Sequence, residues 1–108
     1  MKLETMLLIT ALGVTPLVAQ PEDSGKDAAS IFHQRCSGCH GQDGKAQTFV
    51  GKRVHAADLT SQVVQQASDA ALSDVIKKGK AKMPAFGEKL GAGEIQGLVA
   101  YIRQLGSR

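Results

Sequence analysis

Tryptophan is absent from the chain, tyrosine occurs once and phenylalanine three times, so aromatic residues make up only 4% of its 108 residues. A core drawn from this set is mostly aliphatic, and a short domain buries a small fraction of its surface, so something besides aromatic side chains fills the interior. Cysteine occurs only twice, which excludes a disulfide-dense scaffold and a four-cysteine zinc site. No apolar run reaches the roughly 20 residues of a membrane span. Strand-like alternation is nearly missing, and there is no internal repeat or low-complexity tract. The net charge of +3 is too small to argue for nucleic acid. What is present is ordinary for a globular chain, with 43% apolar and 21% charged residues, in a length that holds one domain.

The first residues read as a leader. Lys2 precedes a weakly apolar run from Met6 to Val18, which ends in Leu17-Val18-Ala19-Gln20 before Pro21. A basic start, a short apolar stretch and a small residue at the cut are the layout of a secretory signal. The sequence thus predicts a cleaved signal peptide over 1–19, a polar segment over 20–26 and a folded domain over 27–108. An uncleaved membrane anchor is the alternative for the leader. No cysteine follows the run, so it is not a lipoprotein anchor. Removing 19 residues leaves 89, exported to an oxidising compartment, the bacterial periplasm, with no transmembrane segment in the mature chain.

Helical periodicity dominates the remainder. Ala28, Ile31 and Phe32 share a face of a first helix predicted to end near Cys39–Gly41. Residues 41–58 contain three glycines and no sustained period, which predicts a loop. Thr60 or Ser61 caps a short turn carrying Val63 and Val64. Ser68 caps a helix whose Leu72, Val75 and Ile76 line one side, with Lys77 and Lys78 in its last turn and Gly79 as its stop. A loop over 80–90 leads to a final helix from about Ala92 to Leu105. There Gly91 is the cap, and Ile95, Leu98, Val99, Ile102 and Leu105 form the apolar stripe. The class is all-α.

The chemistry concentrates in Cys36-Ser37-Gly38-Cys39-His40. Two cysteines three apart at a helix end reach two vinyl groups on one edge of a haem and form thioethers. The adjacent His40 is then carried beneath the ring to ligate the iron. C-x-x-C-H is the attachment signature for c-type haem. A thioredoxin-like pair would follow a strand, and the chain offers none. Zinc needs four ligands, and beyond the motif only His33 and His55 remain. A Cys36–Cys39 disulfide would close a short, strained loop. A haem also supplies the apolar bulk that the composition lacks.

The wider pattern resembles the small monohaem class I c-type cytochromes over essentially the whole mature chain. The likeness rests on Ile31-Phe32 before the motif, Asp58-Leu59-Thr60, Lys77-Lys78-Gly79 followed by Met83-Pro84-Ala85-Phe86, and Leu98-Val99-Ala100-Tyr101-Ile102. The resemblance implies a cytochrome c fold of three to four short helices around one covalent haem c, with the first and last helices crossing near Phe32 and Tyr101. It implies electron transfer as the activity. Ala28 stands where the family often has glycine at that crossing, which implies slightly wider helix spacing. His55-Ala56-Ala57-Asp58 lacks the proline common before Asp-Leu, which leaves open which carbonyl orients His40.

The distal ligand is arguable from the residues themselves. Met1 and Met6 lie in the leader, so Met83 is the one methionine of the domain. It sits in a Gly/Lys-rich loop beside Pro84 rather than on an apolar stripe, so core filling explains it poorly. His55 is the rival ligand, or else a solvated loop histidine, and an empty distal site is a third reading. His33 is read as exposed. Ile31, Phe32, Leu59, Leu72, Val75, Ile76, Phe86, Leu98 and Ile102 are expected around the haem or in helix contacts. With iron ligated by His40 and Met83, no position is open to substrate. The expectation is therefore a non-enzymatic carrier of single electrons between redox proteins, Met sulfur favouring ferrous iron. A peroxidase-like or gas-sensing haem protein and a haem-free thiol or metal module are the other classes. From Lys77 to Lys89 five lysines stand against Glu88, a net of +4, whereas the chain from Gln20 onward carries +3. The excess predicts a cationic docking face for redox partners around the ligand loop.

Overall fold

Helix formation follows the caps and stripes closely. The computed structural model describes residues 10–14, 16 and 24–108, so most of the leader and the polar segment after it lie outside the described residues. Six helices follow in order: α1 (Ser24–Arg35), α2 (Ser37–His40), α3 (Phe49–Val54), α4 (Gln62–Gln66), α5 (Asp69–Lys78) and α6 (Ala92–Gly106). The only strand-like pairing among the described residues is a single antiparallel bridge between Lys80 and Met83.

Three caps predicted from sequence are in place. Ser61 Oγ accepts from the Val64 amide at 3.3 Å, and Ser68 Oγ accepts from the Ala71 amide at 3.0 Å. Glu94 Oε1 accepts from the Gly91 amide at 2.9 Å, closing the start of α6. Gly79 ends α5 with φ 73° and ψ 171°. That region is open essentially to glycine alone, and a Cβ there would lie 2.6 Å from the Met83 carbonyl oxygen.

The core lies between α1 and α6. Phe32, Ile95, Leu98 and Leu105 are fully buried, each worth about 1.5–3 kcal/mol of transfer free energy. Ala28 is buried at the crossing, so its methyl occupies the space that a glycine would leave. Phe32 and Tyr101 meet there with ring centres 5.0 Å apart. Leu59, Ile76, Phe86 and Ile102 are also buried as expected, whereas Ile31, Leu72 and Val75 are only half-buried.

Two expectations change. The first helix does not run unbroken to residues 39–41. It stops at Arg35, and Cys36, at φ −116° and ψ −36°, offsets a separate four-residue helix. The predicted loop over 41–58 contains α3. Its signal was slight, because Val50, Gly51 and Val54 are weak helix formers and Phe49 and Val50 face solvent. Only the Thr48 cap, whose hydroxyl accepts from the Gly51 amide at 2.9 Å, marks it. Hence the described residues form six helices rather than three to four.

Candidate haem site

Cys36 and Cys39, one helical turn apart, are free thiols and half-buried. Burial pushes the Cys36 thiol up to about 11, with Cys39 beside it adding to the effect. His40, the last residue of α2, places Nδ1 2.9 Å from the carbonyl oxygen of Ala57. A carbonyl only accepts, so Nδ1 carries a proton, and in the neutral ring this is the tautomer that leaves the lone pair on Nε2. The orienting carbonyl is therefore that of Ala57, although no proline stands there. The Asp58 carboxylate braces the chain just beyond, accepting from the Thr60 hydroxyl at 2.6 Å and the Thr60 amide at 2.8 Å. Those bonds hold the carboxyl below its ordinary value.

Met83 is set by the end of α5. Its amide donates to the Lys80 carbonyl at 2.9 Å and its carbonyl accepts from the Lys80 amide at 3.2 Å. This closes a tight turn in which Ala81 has φ 52°. Downstream, the Phe86 and Gly87 amides donate to the Ile76 and Lys77 carbonyls at 2.9 and 3.0 Å. Those are carbonyls that a helix end leaves unpartnered, so the loop is fastened to α5 on both sides of Met83.

These pieces border one cleft of about 280 Å³. Cys36, Cys39, His40 and Met83 all line it, with Val54, Ala56, Ala57, Val75, Pro84 and Phe86 as apolar walls. Its charged lining is basic: Arg35, Lys80 and Lys82, with His55 also present. Two thiols, an imidazole with a free Nε2 and a thioether on apolar walls fit an iron porphyrin held by thioethers. Among the described residues, no group of three or more His, Cys, Asp or Glu side chains converges as a metal site needs.

The remaining candidates separate by position. His33 is exposed on α1, edge-on to Phe32. His55 caps α3 in the left-handed region, at φ 58° and ψ 45°, two residues before the carbonyl that holds His40. Of the five lysines, Lys78 pairs with Asp74 at 3.7 Å and the Lys89 ammonium lies 5.7 Å from the centre of the Phe86 ring. Lys80 and Lys82 are the two at the cleft. Sequence reading did not single out Arg35, Thr48 or Val54. Arg35 had a visible signal, its adjacency to Cys36, but the other two reach the site only through the placement of α3.

This fold and this donor set define the class: a small class I c-type cytochrome, with haem c as its covalent cofactor. Residues 23–102 match the family described as cytochrome C oxidase, cbb3-type, subunit III, and the chain belongs to that family. The cbb3-type cytochrome c oxidase subunit FixP of Bradyrhizobium diazoefficiens is 36% identical over 86% of this chain. The chain spans about a third of the length of the FixP relatives that it matches. Cytochrome c6 of Synechococcus is 27% identical over 96% of this chain and 92% of its own length. The solved c-type cytochrome KustC0563 superposes with a TM-score of 0.68 at 31% identity, over 73% of this chain and 96% of that one.

Proposed function

We propose that the chain carries single electrons between redox proteins, its haem c fixed by thioethers to Cys36 and Cys39 and its iron ligated by His40 and Met83. The observation that carries this reading is the convergence of all four side chains on one cleft. When bound, haem c supplies a one-electron Fe(III)/Fe(II) couple. The protein's own part is placement. The two cysteine sulfurs prevent dissociation, and Ala57 holds His40 in the tautomer that presents Nε2 as a donor. The turn over 80–83 presents the Met83 thioether, and the apolar walls keep water from the metal. With His40 and Met83 both as ligands, the iron would keep no site for substrate, so the chemistry supplied would be outer-sphere electron transfer rather than enzymatic turnover. Lys80 and Lys82, with Arg35 beside them, give partners a cationic docking face at the cleft.

Residues 1–19 are taken as the cleaved leader and residues 27–108 as the cytochrome domain, which works in the bacterial periplasm. The same haem domain would serve as a free carrier, as in cytochrome c6, or within an oxidase subunit, as in FixP. The direct test is Cys36→Ala with Cys39→Ala, produced alongside the native chain in a host that attaches haem c. The native chain should keep haem through acid–acetone extraction, and the double variant should lose it. Haem retained by the double variant after extraction would refute the attachment.

A further inference from the structure

The helix that bears His40 is too short to satisfy itself. α2 has four residues, and the last four carbonyls of any helix lack an internal partner, so all four of its carbonyls need outside donors. Each has one. The Ser37 carbonyl accepts from the Gly41 amide at 2.8 Å and the His40 carbonyl from the Ala46 amide at 2.7 Å. The Thr48 hydroxyl shares its single proton between the remaining two, 2.8 Å from the Gly38 oxygen and 3.1 Å from the Cys39 oxygen. The same oxygen accepts from the Gly51 amide as the cap of α3. One hydroxyl therefore joins α2 to α3. Gly51 allows the contact, because a Cβ there would lie 2.0 Å from the Cys39 carbonyl oxygen. Beyond α3 the chain turns through His55 to Ala57, whose carbonyl holds the imidazole. The backbone of His40 and the acceptor of its ring are thus referred to one another through Thr48.

We propose that Thr48 is a positioning residue for the axial imidazole: by donating to the Gly38 and Cys39 carbonyls it holds α2 at the height where His40 Nδ1 meets Ala57. The proposal rests on His40 as the iron ligand. Its chemistry makes the two roles of the hydroxyl separable. Aspartate caps a helix as well as threonine does but has no proton to donate when ionised. Thr48→Asp therefore keeps the bond from Gly51 and loses those to α2. Serine keeps both and valine neither.

The test is hydrogen exchange of the His40 Nδ1 proton, followed by NMR in the reduced holoprotein, with the Leu98 amide of the α1–α6 core as an internal reference. Thr48→Val and Thr48→Asp should each speed the ring-proton exchange roughly tenfold relative to Leu98, about the effect of losing one hydrogen bond. Thr48→Ser should stay within about threefold of the native chain on the same scale. Equal acceleration of ring proton and Leu98 amide in Thr48→Asp would mean general destabilisation and would overturn the proposal. So would a serine variant as fast as valine. A native chain without covalent haem, seen by haem staining before any variant is measured, would overturn the attachment reading itself and this inference with it.

Discussion

Replacing Arg103 by methionine keeps much of its aliphatic stem and removes every hydrogen bond that its guanidinium makes. Those bonds tie α6 to the junction between α4 and α5. Nη1 donates to the Gln65 carbonyl at 2.9 Å and the Val64 carbonyl at 3.3 Å. Nη2 donates to the Ala67 carbonyl and, at 2.9 Å, to Asp69 Oδ1, which also accepts from Nε at 3.1 Å. The acceptors are unequal in worth. Asp69 is 77% exposed, so its ion pair contributes about 0–1 kcal/mol. Of the three carbonyls at the end of α4, that of Val64 also accepts from the Ala67 amide, whereas those of Gln65 and Ala67 rely on Arg103, at about 1 kcal/mol each for hydrogen bonds to a charged donor after allowance for partial exposure. Arg103→Met should therefore cost about 2–3 kcal/mol and lower the melting temperature of the holoprotein by roughly 10–20 °C, at 4–8 °C per kcal/mol for a domain of this size. Asp69→Ala should cost about 1 kcal/mol or less, its ion pair and its place in the first turn of α5 included. Far-ultraviolet circular dichroism on heating measures both. Equal losses for the two variants would refute the claim that carbonyl capping, rather than the salt bridge, gives Arg103 its value.

Three further outcomes are expected. Met83→His should lower the midpoint potential while keeping the iron six-coordinate, because nitrogen donation favours ferric iron relative to thioether sulfur; a potential and spectrum unchanged in Met83→Ala would remove Met83 as the ligand and leave His55 next in line. Lys80→Glu with Lys82→Glu should slow electron transfer to an acidic partner protein with little change in potential, and the native rate should fall with salt, since such charges act over roughly 8 Å at physiological ionic strength; a rate that is flat or rises with salt removes charge as the recognition signal. In the haem-free chain, Cys36 at about 11 should stay protonated where an ordinary thiol ionises, so iodoacetamide labelling at pH 9 should be about 50-fold slower than for the urea-unfolded chain. Between pH 9 and 11 the unfolded chain releases this proton first, so the haem-free fold should lose stability as pH rises through that window; identical labelling in the two states would contradict the burial of Cys36.

The parts of the molecule legible in the sequence are those set by local chemistry. C-x-x-C-H needs only the spacing of one helical turn, so Cys36, Cys39 and His40 announce a haem wherever they sit. Ser61, Ser68 and Gly91 with Glu94 start helices through bonds spanning three residues, and the stripe from Ile95 to Leu105 shows its period within one segment. Met83 was singled out by elimination as a candidate ligand, in a loop where no apolar face explains a methionine, and it lines the cleft. The rest depended on contacts between segments far apart in the chain. That Ala57 supplies the carbonyl for His40, across 17 residues, follows from where α3 returns the chain. α3 itself has no apolar stripe to betray it and is held by Thr48 and by a glycine against the Cys39 carbonyl. The break at Cys36, the place of Arg35 beside Lys80 and Lys82, and the capping of α4 by Arg103 are likewise tertiary facts. Sequence alone specified the groups proposed to hold the haem; their common place along one cleft required backbone carbonyls and amides whose partners only the folded chain brings into hydrogen-bonding distance.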